Sequence, residues 1–293
     1  MNAVQAPSAP GAERRAAGAL ALLGTTFQNP VLLAAGTAGF GREVSQVINL
    51  EALGGIVTKA VTPEPRAGYA APRLVEFRGG MLNAVGLANP GLEVVRRDCL
   101  PWLARLERAR VIVNVAGATG DDYVAVVRGL DPAAPAAFEI NASCPNTSAG
   151  GLEFGAEPES LAALVRLCRR ATERPLIVKL SPVLPDIAAM AAVAEGEGAD
   201  AVSVVNTIPG FLPGRLGHGA GGVSGPALLP IGVHAVRRVA ERISVPVIGV
   251  GGIRTAADAR AYLGAGAALV AVGTAALADP RVPERIAREL ARG

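Results

Sequence analysis

Cysteine, aromatic residues and excess charge are all scarce in this 293-residue chain, and each shortage excludes a class of protein. The three cysteines, Cys99, Cys144 and Cys168, are too few and too scattered for a disulfide framework, a zinc site or an iron–sulfur cluster. They are typical of a reducing, cytoplasmic compartment. Aromatic residues make up 3% of the chain, the net charge is +3, and no basic run is interleaved with aromatics. We therefore expect no nucleic-acid partner.

Long apolar runs are missing as well. No stretch approaches the roughly 18 residues that span a bilayer, so no membrane association is predicted. Arg14-Arg15 and the apolar residues after them resemble the start of a signal peptide, but the run is short and TTFQNP interrupts it. We therefore interpret residues 1–18 as a flexible N-terminal extension and residues 19–293 as a single domain.

Lysine is the scarcest charged residue. Of the 28 basic residues only Lys59 and Lys179 are lysines, and all the others are arginines. Two lysines in a chain that otherwise uses arginine suggest positions that need a compact ammonium on a flexible stem. Both are candidate functional residues.

Eight short apolar segments recur along the chain, with helical patterns such as 158–174 and 185–198 between them. Most show little polar alternation, as expected for strands buried on both faces of a parallel sheet. The predicted strands are VLLAA (31–35), GIVTK (55–59), VIVNV (111–115), FEIN (138–141), LIVKL (176–180), AVSVV (201–205), VIGV (247–250) and LVAV (269–272).

Eight β/α repeats in a chain of this length predict an α/β fold, a (β/α)8 or TIM barrel. A doubly wound sheet is disfavoured because no G-x-G-x-x-G follows an early strand. The long segment after the second strand predicts an inserted hairpin or loop around residues 62–90.

Polar residues gather where the predicted strands end. Both lysines and four of the nine asparagines fall there, whereas residues without a shared role would scatter over loops and helices. Catalytic residues of a barrel lie at this end of its strands. The positions are Thr58, Lys59, Asn114, Asn141, Asn146, Lys179, Asn206 and Thr207. The pattern predicts a functional site at the C-terminal ends of the strands.

Glycine-containing turns follow the last two strands, where barrels commonly bind phosphate. Gly251-Gly252 and Gly273-Thr274 let backbone N–H groups approach an anion, and Ser224-Gly225 offers a third set of donors. Asparagines can both donate and accept, so they suit a planar ligand with amide-type groups. A cofactor or substrate that carries phosphate is therefore expected.

The sequence NASCPN (141–146) places a thiol beside this site. A cysteine before proline fits neither a helix nor a central strand, so Cys144 is predicted on a loop after the fourth strand. There it could act as a nucleophile or a general base. A cysteine–histidine pair is not supported, because His234 lies in a helical pattern and His218 in a glycine-rich loop.

Taken in order, these motifs resemble the dihydroorotate dehydrogenase family. The specific ones are the NASCPN segment with the glycine pair that follows it and the MLNAVGL segment (81–87). The resemblance extends from residue 29 to residue 275. The other matching segments are NPVLLAAGTAGFG (29–41), GGIVTKAVTPEPR (54–66), NVAGATGDDY (114–123), VKLSP (178–182), VVNT (204–207), GGVSGPAL (221–228), GVGGI (249–253) and VGTA (272–275).

The resemblance implies an FMN-dependent oxidation of (S)-dihydroorotate to orotate, in de novo pyrimidine biosynthesis. Cys144 would take the proton from C5 while a hydride leaves C6 for the flavin. Substrate-binding residues would be Lys59, Asn83, Val85, Gly86, Leu87, Asn141, Asn146, Asn206 and Thr207. Flavin-binding residues would be Ala35, Gly36, Thr58, Lys59, Asn114, Asn141, Lys179, Ser224, Gly225, Gly251, Gly252, Gly273 and Thr274.

A cysteine at position 144 implies the soluble branch of the family rather than the membrane-attached branch, which uses serine. The sequence around residues 79–91 and 141–155 is most similar to the heteromeric subgroup of this soluble branch. In that subgroup a second subunit with FAD and an iron–sulfur cluster passes electrons to NAD. A homodimer or a heterotetramer would follow. Fumarate, NAD through a partner, or a quinone would each leave the site residues much the same.

One departure concerns residues 208–220, which are about half a dozen residues shorter than the corresponding segment of the family. This segment is expected near the substrate, so a related FMN oxidoreductase acting on another cyclic amide or a specialised metabolite is the alternative.

Overall fold

Residues 13–14, 19–142 and 154–292 are described by a computed structural model. Eight parallel strands form a closed barrel, which confirms the predicted (β/α)8 fold and all eight predicted strands. In chain order the strands are β1 (Glu13–Arg14), β2 (Leu20–Leu22), β3 (Thr25–Phe27), β4 (Val31–Leu33), β5 (Gly55–Val57), β6 (Leu74–Phe77), β7 (Gly80–Asn83), β8 (Arg110–Val115), β9 (Ala137–Asn141), β10 (Leu176–Leu180), β11 (Ala201–Val204), β12 (Ile208–Phe211), β13 (Ala220–Ser224), β14 (Val247–Val250) and β15 (Leu269–Val272). The barrel order is β4-β5-β8-β9-β10-β11-β14-β15, and β15 pairs with β4 to close it.

Helices cover the outside of the barrel. They are α1 (Leu92–Val94), α2 (Leu100–Leu103), α3 (Gly120–Leu130), α4 (Pro158–Arg169), α5 (Ile187–Gly196), α6 (Leu229–Ala240), α7 (Ala256–Gly264), α8 (Thr274–Ala278) and α9 (Val282–Ala291). A π-helical turn joins α1 to α2, and 3₁₀ turns lie at Val44–Gln46, Leu50–Ala52, Asp131–Ala133 and Pro226–Leu228. Among the residues with described structure, no helix is both long and apolar enough to cross a membrane.

Two helices are shorter than the sequence pattern predicts. The pattern over 158–174 overshoots α4 by five residues, since α4 ends at Arg169 and Arg170 is its C-cap. The pattern over 185–198 overshoots α5 at both ends. Asp186 caps its N-terminus by accepting from the N–H groups of Ala188 and Ala189.

Alternation along each strand divides the barrel into an inner and an outer layer. The inner layer is apolar at the N-terminal ends of the strands, where Leu32, Ile112 and Ile177 are fully buried. Leu20 and Phe27 of the β2–β3 hairpin join the same cluster and cover that end. The opposite end carries the polar side chains.

An antiparallel sheet of four strands lies outside the barrel, in the order β12-β13-β7-β6. The β6–β7 hairpin confirms the insertion predicted around 62–90. The β12–β13 hairpin was not predicted, because residues 208–220 read as a glycine-rich loop. The two hairpins pack through Leu82, Ala84 and Leu216, and His218 stacks on Tyr69 at a centroid separation of 3.7 Å.

Of the predicted extension 1–18, the structure describes Glu13–Arg14, which pairs with β2. The predicted boundary at residue 19 is not tested by this pairing and stays a prediction.

Candidate active site

A cavity of about 800 Å³ opens at the C-terminal ends of the barrel strands and extends to the four-stranded sheet. Its size fits an organic ligand with a few oriented polar groups. Eighteen of the predicted site residues line it. They are Ala35, Gly36, Lys59, Asn83, Val85, Gly86, Leu87, Asn114, Asn141, Lys179, Asn206, Thr207, Ser224, Gly225, Gly251, Gly252, Gly273 and Thr274.

Thr58 does not line the cavity, although the sequence placed it beside the flavin ring. It lies between Val57 and Lys59, which face inward, so its own side chain faces away. Its hydroxyl donates to the Lys59 carbonyl at 3.0 Å and accepts from the Asn114 N–H at 3.1 Å. Thr58 therefore supports its neighbours from behind the cavity wall.

Cys144 and Asn146 lie outside the described residues. The last described residues before them are Asn141 and Ala142, at the end of β9. The Asn141 carbonyl accepts a hydrogen bond of 2.8 Å from the Tyr123 hydroxyl on α3. This bond anchors the strand end from which the NASCPN segment continues.

The two lysines reach the cavity from different strand ends. Lys179 is 7% exposed and lies in register between Asn141 on β9 and Ser203 on β11. Its ammonium has no hydrogen bond or ion pair with any residue of the described part of the chain. Lys59 is half-buried, and burial together with the nearby Arg73 guanidinium lowers the pKa of its ammonium.

Asn114 is held by a group that the sequence analysis did not consider. Its Nδ2 donates to Oε1 of Glu139 at 2.6 Å, and both side chains are buried. Register explains the contact, because Asn114 on β8 pairs with Glu139 on β9 and both face inward. The alternation of the FEIN segment, in which Glu139 stands two residues before Asn141, could have revealed it.

Three further polar groups of the cavity lie where the barrel meets the sheet outside it. The Asn83 amide donates to the Gly222 carbonyl at 2.9 Å, which links β7 to β13. The Thr207 N–H donates to Oδ1 of Asn206 at 2.9 Å. Pairing between the two hairpins therefore brings Asn83 to the same cavity as the end of β11.

The loop 85–87 closes one side of the cavity. Gly86 has a φ of +70°, and a Cβ there would press on Tyr69 at 2.8 Å, so the loop requires glycine. The Val85 carbonyl accepts the Tyr69 N–H at 3.1 Å. The loop is thus tied to the Tyr69–His218 stack and through it to the β12–β13 hairpin.

The end of the cavity after β14 and β15 has the features of a phosphate site. Gly252 has a φ of +73°, and a Cβ there would lie 2.6 Å from the Leu229 nitrogen. The Thr274 hydroxyl donates to the Ser224 hydroxyl at 2.8 Å, so both line one wall. Arg254, which the sequence analysis missed, lines the same end and is exposed.

A second buried tyrosine supports this end from behind. The Tyr262 hydroxyl on α7 lies 2.7 Å from the Gly251 carbonyl and 3.1 Å from that of Val250. Its ring fits because a Cβ at Gly249 or Gly232 would collide with it. Tyr262 and Tyr123 have the same role at the ends of two different barrel strands.

Charge and unsatisfied polar atoms indicate what the cavity can hold. Its described lining carries Lys59, Lys179 and Arg254 against Glu76 alone, so an anionic ligand is favoured. One buried atom of the cavity lining, Oδ1 of Asn114, has no hydrogen-bond partner within the described ranges. Buried polar atoms normally have partners, and a ligand with polar edges could supply them.

The fold and the site together define an enzyme of the (β/α)8-barrel class, with a cavity suited to a planar ligand that carries phosphate. The family model for dihydroorotate dehydrogenase matches residues 19–293. The chain therefore belongs to the dihydroorotate dehydrogenase family, whose members are flavin-dependent oxidoreductases.

Relatives with assigned names agree with this membership. The chain is 47% identical over 279 residues to the dihydroorotate dehydrogenase B (NAD(+)) catalytic subunit of Desulforudis audaxviator, covering 93% of this chain and 91% of the relative. A provisionally named dihydroorotate dehydrogenase A (fumarate) of Solibacter usitatus is 46% identical over 281 residues, covering 94% and 92%. The crystal structure of DHODH from Eimeria tenella in complex with ferulenol superposes with a TM-score of 0.79 at 27% identity, covering 91% of this chain and 81% of the other.

Proposed function

We propose that this enzyme oxidises (S)-dihydroorotate to orotate with bound FMN, in de novo pyrimidine biosynthesis. The observation that carries the proposal is the convergence of Lys59, Lys179 and the asparagine side chains on one cavity beside a phosphate-type turn. A substrate with one carboxylate and several ring amides matches these groups, since asparagines donate and accept while ammonium groups attract the anion.

Substrate would be held between the barrel and the sheet above it. Asn83 and the backbone of loop 85–87 approach from the sheet side, and Asn141, Asn206 and Thr207 approach from the strand ends. Asn146 is assigned to the same group from the sequence. Lys59 would face the carboxylate, where its depressed pKa makes the attraction weaken at a lower pH than for an exposed lysine.

FMN would lie across the strand ends with its phosphate at Gly252, Gly273 and Thr274. Ser224 and Gly225 would close the phosphate end, Ala35 and Gly36 would flank the ring, and Asn114 and Asn141 would contact its polar edge. Bound flavin would supply the redox step by accepting the hydride from C6 of the substrate. Lys179 would lie at the edge where negative charge develops and would stabilise that charge.

Cys144 is assigned as the general base. Cys144 follows Asn141 by three residues in the sequence, and Asn141 is one of the proposed substrate-binding residues. Its thiolate would take the proton from C5 and become a thiol, while the electron pair of that C–H bond forms the C5–C6 double bond. The asparagines would hold C5 within reach of the sulfur.

An anaerobic spectrum tests the activity directly. We expect the purified enzyme to be yellow and its flavin absorbance to bleach when dihydroorotate is added without oxygen. Cys144→Ala should bind flavin normally and slow the bleaching by at least about a hundredfold at neutral pH, the usual contribution of a general base. Cys99→Ala is the matched control, because Cys99 is half-buried in the helical layer. An unchanged rate in Cys144→Ala would refute the assignment of the base.

For the electron acceptor we propose a second subunit that carries FAD and an iron–sulfur cluster and reduces NAD. The support is the name of the Desulforudis relative, a catalytic subunit of an NAD(+) enzyme. With that subunit the enzyme would form a heterotetramer, and without it a homodimer. We place either assembly in the cytoplasm. The Solibacter relative is named for fumarate, so reoxidation of the reduced enzyme by fumarate alone would favour that acceptor.

The β12–β13 hairpin favours one alternative substrate class. It pairs directly with β7 and so helps to cover the proposed substrate region. The resemblance implies that residues 208–220 are shorter here than the corresponding segment of the family. Another cyclic amide could fit beneath the shorter segment. Slow or absent bleaching by dihydroorotate, with flavin fully bound, would favour this alternative.

A further inference from the structure

Two charged side chains are buried in the part of the chain that the structure describes, and they lie on neighbouring strands. Glu139 is 3% exposed on β9 and Lys179 is 7% exposed on β10. Burying a charge is costly unless a partner compensates for it. A carboxylate inside a barrel whose inner layer is otherwise mostly apolar therefore calls for a reason, and the mechanism above does not use it.

Lys179 is not the direct partner of Glu139. Within the described residues the two groups form no ion pair within 4 Å. Their register shows why, since Glu139 pairs with Ile177 and Lys179 pairs with Asn141, one inward-facing position farther along the barrel. The carboxylate binds the Asn114 amide at 2.6 Å instead.

This contact determines how Asn114 is oriented. The carboxylate oxygen accepts from Nδ2 of Asn114, so the amide turns its NH2 group toward Glu139. Its carbonyl oxygen is then left for other partners, and Oδ1 of Asn114 has none among the described side chains and backbone groups. Asn114 lines the cavity, so a ligand that donates at this point would complete the arrangement.

We propose that Glu139 is a positioning residue for the flavin, which fixes the orientation of Asn114 and lowers the reduction potential of the bound ring. The inference rests on the proposed flavin site. Glu139 places a negative charge behind the cavity wall, whereas Lys179 places a positive charge in it. Reduction adds negative charge to the ring, so the carboxylate disfavours the reduced form and the ammonium favours it.

The test is the midpoint potential of the bound flavin in Glu139→Gln, measured by equilibration with a reference dye. Glutamine keeps the shape and can still accept from Asn114, but it removes the charge. We expect a shift to a more positive potential, while Glu139→Asp, which keeps the charge, should shift it less. Glu195→Gln is the matched control, since the Glu195 carboxylate accepts hydrogen bonds from Ser244 away from the cavity.

An unchanged or more negative potential in folded, flavin-bound Glu139→Gln would overturn the proposal, because a residue that only fills space would not move the potential in the expected direction. If Glu139→Gln loses flavin, the affinities of the Glu139→Gln and Glu139→Asp apoproteins for FMN are compared instead. Loss in Glu139→Gln but not in Glu139→Asp supports a role for the charge, and equal loss in both refutes it. The dye measurement needs no dihydroorotate, so a wrong substrate would leave this test intact, and failure of the wild-type protein to bind flavin would count against the proposed function itself.

Discussion

Arg254 is the basic side chain at the end of the cavity where we propose that the FMN phosphate binds. It lies two residues after Gly252, its backbone N–H donates to Asp258, and its guanidinium has no hydrogen bond or ion pair with a described residue. A guanidinium is well suited to a phosphate dianion because its planar donors match two oxygens at once. Riboflavin differs from FMN by the absence of the phosphate, so comparing the binding of the two flavins isolates the contribution of the phosphate contacts.

We expect Arg254→Ala to weaken FMN binding by roughly fivefold, equivalent to about 1 kcal/mol for an exposed ion pair. Riboflavin binding should stay unchanged. Quenching of flavin fluorescence on titration of the apoprotein measures both. Arg242→Ala, which removes an equally exposed arginine outside the cavity lining, is the control for net charge. Equal weakening of both flavins by Arg254→Ala would contradict the role.

For individual residues, the sequence predicted the positions of the site residues along the strands better than their contacts. Lys179 and Asn114 stand at strand ends, so the barrel rule was enough to find them. Glu139 was missed because its partner is 25 residues away and only strand register reveals the contact. Thr58 was misplaced because alternation turns its side chain away from the cavity.

Among the elements, α3 and α7 each send a buried tyrosine to the end of a barrel strand. Tyr123 donates to Asn141 at the end of β9, and Tyr262 donates to Gly251 after β14. Burial and the nearby Asp258 raise the pKa of Tyr262, so its hydroxyl stays protonated and remains a donor. Each helix therefore holds in place the end of a barrel strand that borders the cavity.

Tyr262→Phe should destabilise the protein by about 1 kcal/mol, because the part-buried Gly251 carbonyl loses this donor, whereas the Val250 carbonyl keeps the Val205 N–H. It should also reduce the preference for FMN over riboflavin, since Gly251 and Gly252 would lose their support. Thermal unfolding and flavin titration measure the two effects. Tyr123→Phe removes the equivalent hydroxyl at the end of β9 and should leave that preference intact. A preference unchanged in Tyr262→Phe would show that the hydroxyl only stabilises the fold.

The elements differed in how well the sequence predicted them. Barrel strands are short, apolar and separated by helices, so local pattern was sufficient. The β12–β13 hairpin was missed because its strands contain Pro209, Gly210, Gly221 and Gly222, residues that normally argue against strands. Pairing with β7 stabilises this hairpin, and local propensity does not include that contribution.

For the molecule as a whole, Glu51 joins two segments that precede barrel strands. Its carboxylate accepts the backbone N–H groups of Glu107, Arg108 and Ala109 at 2.6 to 2.9 Å. Burial alone would raise the pKa of Glu51, but these three donors and the Arg108 charge hold it below its ordinary value of 4.5. The stabilisation is therefore complete above that ordinary value and is lost as the pH falls through the lower pKa of the folded state.

We expect Glu51→Gln to lower the free energy of unfolding by about 1 kcal/mol at pH 7, a figure reduced for solvent screening at this largely exposed group. The difference from wild type should shrink as the pH falls below about 4.5. Denaturant unfolding at neutral and acidic pH measures both values. Glu107→Gln, which changes an exposed neighbour, is the control. A difference that does not depend on pH would exclude the ionised carboxylate as its source.

The sequence by itself determined the barrel and the end at which its site lies. Strands buried on both faces are mostly apolar, their alternation with helices predicts a parallel sheet, and eight such repeats favour a closed barrel. Polar residues at the strand ends then indicate where the ligand binds. These features are local, so they can be read from neighbouring residues.

Only the tertiary structure decided which distant groups meet around that ligand. Asn83 reaches the cavity because two hairpins about 140 residues apart form one sheet, and Glu139 faces Asn114 because β8 and β9 adopt one particular register. Such contacts depend on pairing across the whole chain. A shift of one residue in register would turn Glu139 out of the barrel, so the arrangement exists only once the sheet has closed.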